Sequence, residues 1–204
     1  MKVKKPDWTG KTVVCIASGP SLTTEDCELV KQSSHVVIVA NTTFRIAPWA
    51  DALFAFDLKW WDEYHEEVNN VFKGRRFGYS TPCVRYGADS LFFEPWFHSF
   101  SNSGACAIGL AVACGAKTII MLGYDCQKTD GKVHWHPDHP SKMADKSARK
   151  RWPSGMSNAE SIKRWPKQFK AVADYAKERG SVILNASRVT ALDCFARVNL
   201  TEVL

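Results

Sequence analysis

The sequence lacks any apolar run near the roughly 20 residues needed to cross a bilayer, so a membrane protein is not expected. Its first residues, Met1-Lys-Val-Lys-Lys-Pro6, carry charge with no apolar stretch behind it, which argues against a signal peptide. There is no internal repeat and no low-complexity stretch. The P-loop pattern GxxxxGK[ST] and the dinucleotide pattern GxGxxG are both missing. None of the seven cysteines (Cys15, Cys27, Cys83, Cys106, Cys114, Cys126 and Cys194) stands in a CxxC pair. Their odd number and irregular spacing exclude a tidy disulfide framework or zinc site. Several sit in apolar runs, so they read as buried thiols of a reducing cytosol, and a cytoplasmic location is expected.

What is present is ordinary for a folded domain. Apolar residues make up 45% of the 204 and charged residues 24%, which argues against wholesale disorder. Such a length suggests one domain, with or without a sizeable insertion, able to bury a core without staples. The formal net charge is +6. Between Ser141 and Lys170 stand nine basic and two acidic residues, a net of +7. The rest of the chain therefore sums to −1, so one segment carries the basicity.

Short apolar runs alternate with helical patterns. Thr12–Ala17, His35–Ala40, Ala52–Phe56, Lys117–Leu122 and Ser181–Leu184 read as buried strands, with a further strand at Arg76–Tyr79. Helices are expected at Thr23–Lys31, after Asp57 with Trp60, Trp61, Tyr64 and Val68, at Ser103–Cys114, at Ala159–Arg179 and near Thr190–Arg197. Residues 126–158 show no periodicity and contain Pro137, Pro140 and Pro153, as a long polar insertion would. Continuous apolar strands alternating with helices predict an α/β fold: a three-layer, open, mostly parallel sheet of Rossmann-like type, with residues 1–204 as one domain. Ligands of such folds bind beyond the carboxyl ends of the strands. Those ends are Ser18-Gly-Pro-Ser21, Asn41, Asp57, Gly123-Tyr-Asp125 and Asn185-Ala-Ser187.

Gly19 permits an unusual backbone angle or a close ligand approach, and amides at the following helix start favour a phosphate. An ordinary strand-to-helix turn would look the same. Asn102-Ser103-Gly104 opens the small-residue helix, either as N-cap chemistry or as a second helix N-terminus at the cleft. His134-Trp-His-Pro-Asp-His139 holds three of the six histidines within six residues. A divalent metal, acid or base chemistry near neutral pH, phosphate or acceptor recognition, and a bland polar loop are all open for it. The basic stretch Lys142, Lys146, Arg149, Lys150 and Arg151 with Trp152 fits a solvated loop or a lid over phosphates. Nucleic-acid contact is a minority reading, since no recognised motif supports it.

The run Val13–Leu22, then Val39-Ala-Asn41 with Phe44, then Ser103–Asp125, forms a connected pattern. It resembles the bacterial sialyltransferases of glycosyltransferase family 42 and the related group containing archaeal 6-hydroxymethylpterin diphosphokinase. Compact versions with a Gly-Lys-x-His-Trp-His loop look like proteins of bacteriophages or prophages. The resemblance implies a nucleotide-binding transferase with a single modified Rossmann domain and a lid at 126–158. A cytidine nucleotide sugar would lie against Gly19, Pro20, Ser21, Asn41, Ser103 and Gly104, with Gly123 and Asp125 near the nucleoside. The family's asparagine after the third strand is Asp57 here, a carboxylate that could hold a metal or a ribose hydroxyl but repels an unshielded phosphate. The family's lid histidine would fall on His136, with His134 and His139 as alternates. The function expected is therefore transfer from a nucleotide-activated donor, a CMP-linked sugar, to a hydroxyl acceptor. Its rivals are an ATP- and magnesium-dependent diphosphokinase and a non-catalytic nucleotide-binding phage accessory protein.

Overall fold

Alternation along each apolar run decides the architecture, because successive strand residues face opposite sides of a sheet. The computed structural model describes residues 3–92, 94–136 and 158–204. Its strands are β1 (Thr12–Ile16), β2 (Val36–Ala40), β3 (Ala52–Ala55), β4 (Arg75–Gly78), β5 (Asp89–Ser90), β6 (Thr118–Leu122), β7 (Val182–Asn185) and β8 (Ala196–Arg197). They form one sheet in the order β5-β4-β3-β2-β1-β6-β7-β8, and every adjacent pair is parallel. Val13, Cys15, Ile38, Phe54, Ile119 and Met121 belong to one buried cluster. Helices α3 (Ser103–Ala113) and α4 (Asn158–Glu178) supply its other half, through residues such as Leu110, Phe169 and Val172. Val14, Ile16, Val39, Leu53, Ile120 and Leu122 belong to the second cluster. This one is closed by α1 (Thr24–Gln32), α2 (Leu58–Val71) and Leu200 of α5 (Leu200–Val203). The three-layer α/β expectation therefore holds, with the sheet parallel throughout.

Local chemistry explains the elements. Thr23 caps α1, and Asp26 returns the bond to the Thr23 amide, a capping box that satisfies two orphan donors at once. Trp60 and Trp61 of α2 are buried, and their indole N–H groups reach Thr42 Oγ1 at 3.3 Å and the Ala55 carbonyl at 3.1 Å. The large apolar area is thus buried without stranding a donor. Helix α3 is built of small residues because it lies close to its neighbours. A Cβ on Gly109 would fall under 3.0 Å from the Phe100 ring.

One expected element is absent. Residues Thr190–Arg197 do not form a helix: the chain here is irregular and ends in the two-residue strand β8. Thr190 ties the start of this segment to the chain leaving β6. Its hydroxyl donates to the Tyr124 carbonyl at 2.6 Å and accepts from the Leu192 amide, while the Ala191 amide donates to the Asp125 carbonyl at 2.8 Å.

Candidate functional site

The chain runs outward from β1 to β5 on one side, then crosses through α3 to β6 on the other side of β1. The β1/β6 border is thus the switch point, where an open α/β sheet forms its crevice. Beyond this border the two strands stay joined. The Ala17 amide donates to the Leu122 carbonyl at 2.9 Å, and the Gly19 amide to the Gly123 carbonyl at 2.7 Å. Asp125 is almost wholly enclosed. Its carboxylate accepts from the Ser21 amide at 3.0 Å, the Ser21 hydroxyl at 2.6 Å and the Thr129 hydroxyl at 2.8 Å. Two glycines allow this approach. Gly123 has φ +71°, and a Cβ there would stand 2.6 Å from the Ala17 carbonyl oxygen. A Cβ on Gly19 would lie under 3.0 Å from Asp125 Oδ1.

Gly19, Pro20, Ser21, Gly123 and Asp125 therefore meet as a brace between β1 and β6. The amides of Gly19 and Ser21 already have acceptors, and Pro20 has no N–H. Among these residues, no backbone donor of the turn is left pointing at a ligand.

Asn41 ends β2 with φ 50°, a left-handed conformation that asparagine tolerates better than most residues. Its Oδ1 accepts from the Ser103 hydroxyl at 2.8 Å, and Ser103 Oγ in turn accepts from the Phe56 amide at 3.0 Å. The ends of β2 and β3 are thereby tied to the start of α3. Asn102 caps that helix, accepting from the Ala105 amide at 2.8 Å. The first amides of a helix have no partner within it, so those of Ser103 and Gly104 are the donors this end offers. Gly104 packs against Tyr124: a Cβ would meet the ring at 2.9 Å, and the Tyr124 hydroxyl donates to the Gly104 carbonyl at 3.2 Å.

Asp57 follows β3 and does not cap α2 with its side chain. Water reaches it, since its surface is exposed. Protein nonetheless crowds it, and that loss of solvation raises its carboxyl above the usual range, with Lys59 opposing the shift. Burial raises the Cys106 thiol of α3 well above its ordinary value, and the charge of Asp57 adds to this, so Asp57 lies beside the start of α3.

The histidine loop closes on the same edge. Ser18 Oγ and His134 Nδ1 are 2.9 Å apart, and the Trp135 amide donates to the Ser18 carbonyl at 3.1 Å. The rings of His134 and His136 stack at 5.1 Å with planes 1° apart, and Trp135 meets His136 edge-on at 5.2 Å. His136 is buried and His134 partly exposed. Of the two rings, His134 combines water access with a hydrogen-bond partner at the strand end. His139 lies outside the described residues, as do Lys142, Lys146, Arg149, Lys150, Arg151 and Trp152. Among the described residues, no group of three His, Cys, Asp or Glu side chains could hold a metal ion.

Sequence reasoning missed Ser18 as the partner of His134, Thr129 as a third donor to Asp125, and Ser187, whose hydroxyl accepts from the Tyr124 amide at 2.8 Å. Ser187 was legible as a strand-end residue. Nothing in the sequence pairs Ser18 with a histidine 116 positions away.

Fold and site together define a parallel α/β protein whose polar groups converge at the switch point. No protein-family model matches the chain, and no curated protein is significantly similar to it. Among the described residues, no helix is long and apolar enough to cross a membrane.

Proposed function

We propose that the chain is a transferase that uses a nucleotide-activated donor, with His134 as the general base. The observation that carries this reading is the meeting of His134 with Ser18 at the end of β1, on the edge that also holds Asn41, Asp57 and the start of α3. The amides of Ser103 and Gly104 suit a negatively charged phosphate, because a helix N-terminus carries partial positive charge. In the glycosyl version, His134 takes the proton of the acceptor hydroxyl. The acceptor oxygen bonds to the sugar carbon, and the bond from that carbon to the nucleotide phosphate breaks with its electron pair on the phosphate. The resemblance to family 42 sialyltransferases supports this version. The +7 stretch between Ser141 and Lys170 supplies cationic groups suited to a leaving phosphate.

Asp57 favours a second reading. A carboxylate at this strand end repels a bare phosphate but can share magnesium with one, as diphosphoryl transfer from ATP requires. Thermal-shift measurements with CMP, CDP, UDP, ATP and GDP, with and without magnesium, test both readings. A ligand at about 100 times its dissociation constant adds about 2.7 kcal/mol of stability. A magnesium-independent shift with a cytidine nucleotide supports glycosyl transfer. A magnesium-dependent shift with ATP supports the diphosphokinase reading. No shift with any nucleotide overturns both.

A further inference from the structure

We infer that Ser18 is a positioning residue for His134, fixing the orientation and tautomer of its ring through Nδ1. The catalytic consequence rests on the reading of His134 as the base. The positioning itself rests on the 2.9 Å contact of Ser18 Oγ with Nδ1, with Nδ1–H as donor being part of the inference.

Ser18 holds the loop at two points, through its hydroxyl to His134 and its carbonyl to Trp135. Stacking against the buried ring of His136 restricts rotation of the same imidazole. Ser18 sits at the mouth of the brace formed by Gly19 and Asp125, so its backbone is anchored on the sheet rather than on a free loop.

A serine bonded to a histidine also suggests a nucleophile, and the neighbouring amides decide against it. An acyl-transfer nucleophile needs backbone donors aimed at the developing oxyanion. Here the Gly19 amide is bound to Gly123, Pro20 has none, and the Ser21 amide is bound to Asp125. A serine hydroxyl can accept as well as donate. Assigning Nδ1–H as the donor to Ser18 Oγ puts the lone pair on Nε2. When Nε2 takes a proton, Nδ1–H keeps its acceptor, and the imidazolium stays hydrogen-bonded. The same Nδ1 anchoring sets ring identity in many histidine sites.

Long-range proton–nitrogen NMR spectra of the imidazoles test this, with the His134 signals assigned by their loss in H134Q. Wild type is expected to show His134 as the Nδ1–H tautomer. S18A should shift it toward the Nε2–H form, and S18T, which keeps the hydroxyl, should restore the wild-type pattern. An unchanged spectrum in S18A, or an Nε2–H tautomer in wild type, overturns the inference. Where turnover with a donor and acceptor is measured, S18A should lower kcat about tenfold, with the donor KM little changed and kcat recovered in S18T. Equal kcat in S18A and wild type also overturns it. A tautomer shift in a protein that binds no nucleotide upholds the positioning and sinks the transferase reading instead, so the two failures are distinguishable.

Discussion

Gly19 leaves the space that the carboxylate of Asp125 fills. A side chain beginning at Gly19 would lie under 3.0 Å from Asp125 Oδ1 and from the Gly123 carbonyl oxygen. The contact joins the two strands that border the switch point, so the motif Ser18-Gly19-Pro20-Ser21 is first a structural device. Its glycine is required by an acid 106 positions away, whatever ligand the cleft takes.

The first prediction follows. Gly19→Ala cannot be relieved by moving a flexible side chain, because three donors hold Asp125 and the second clash is with backbone. Overpacking of this kind typically costs about 1–3 kcal/mol. Urea unfolding of G19A should show a midpoint lowered accordingly. A wild-type midpoint would mean that the brace is not as tight as described.

The two described histidines of the loop should separate in behaviour. His134→Gln removes the base while keeping a polar group, so kcat should fall by roughly 10²- to 10⁴-fold with little change in stability. His136→Phe keeps the ring that stacks on His134 and preserves the burial, so most activity should survive. Steady-state kinetics and thermal melts of both variants check this. The opposite ranking would return the role of base to His136.

Sequence reading reached the sheet because its signal is local. Runs such as Val13-Val-Cys-Ile16 and Thr118-Ile-Ile-Met-Leu122 are uniform enough to declare strands covered on both faces. A threonine at 23 or 24 with acids behind it likewise marks the start of α1, and the structure gives Thr23 as its cap. The errors arise where distant groups compete with local propensity. Thr190–Arg197 contains helix-forming residues, yet its chain is irregular before β8, with Thr190 and Ala191 bonded to Tyr124 and Asp125. At the site, sequence supplied most of the participants and few of the partnerships. Asn41 and Ser103 were both identified, but their 2.8 Å bond was not. The resemblance puts Ser21 and Asp125 beside a nucleotide, and nothing local in the sequence announces that they bind each other.

The cysteines give a third prediction. Burial pushes Cys27 up to about 12, Cys83 to about 11 and Cys114 to about 12, and it raises Cys15, Cys106, Cys126 and Cys194 as well. The thiolate is the reactive form, so few of these groups are nucleophilic near pH 8. Iodoacetamide should label the native protein slowly and the guanidinium-unfolded protein at all seven thiols. Intact-mass spectrometry counts the adducts. Rapid native labelling of Cys15 or Cys106 would contradict the packing of β1 against α3.

Asp57 yields the last prediction, a pH dependence with a definite sign. Its folded-state carboxyl is raised above the ordinary 3.8, chiefly by desolvation. A group raised on folding favours the folded state while protonated, and that advantage is lost as pH climbs through the folded value. At neutral pH the ionised carboxylate therefore works against the fold. Asp57→Asn removes the charge and keeps the shape, so D57N should be more stable than wild type at pH 7. The gap should close as pH falls toward 3.8, where Asp57 is protonated in the folded protein. Denaturant midpoints of the two proteins between pH 3.5 and 7 measure this. A constant gap, or one of the opposite sign, would mean that Asp57 is solvated like a surface carboxylate. It would then lose its standing as the cleft's candidate for holding magnesium or a ribose hydroxyl. A gap that magnesium abolishes at pH 7 would instead show the cation bound at this carboxylate, because a bound cation stabilises the charged form that the protein alone disfavours.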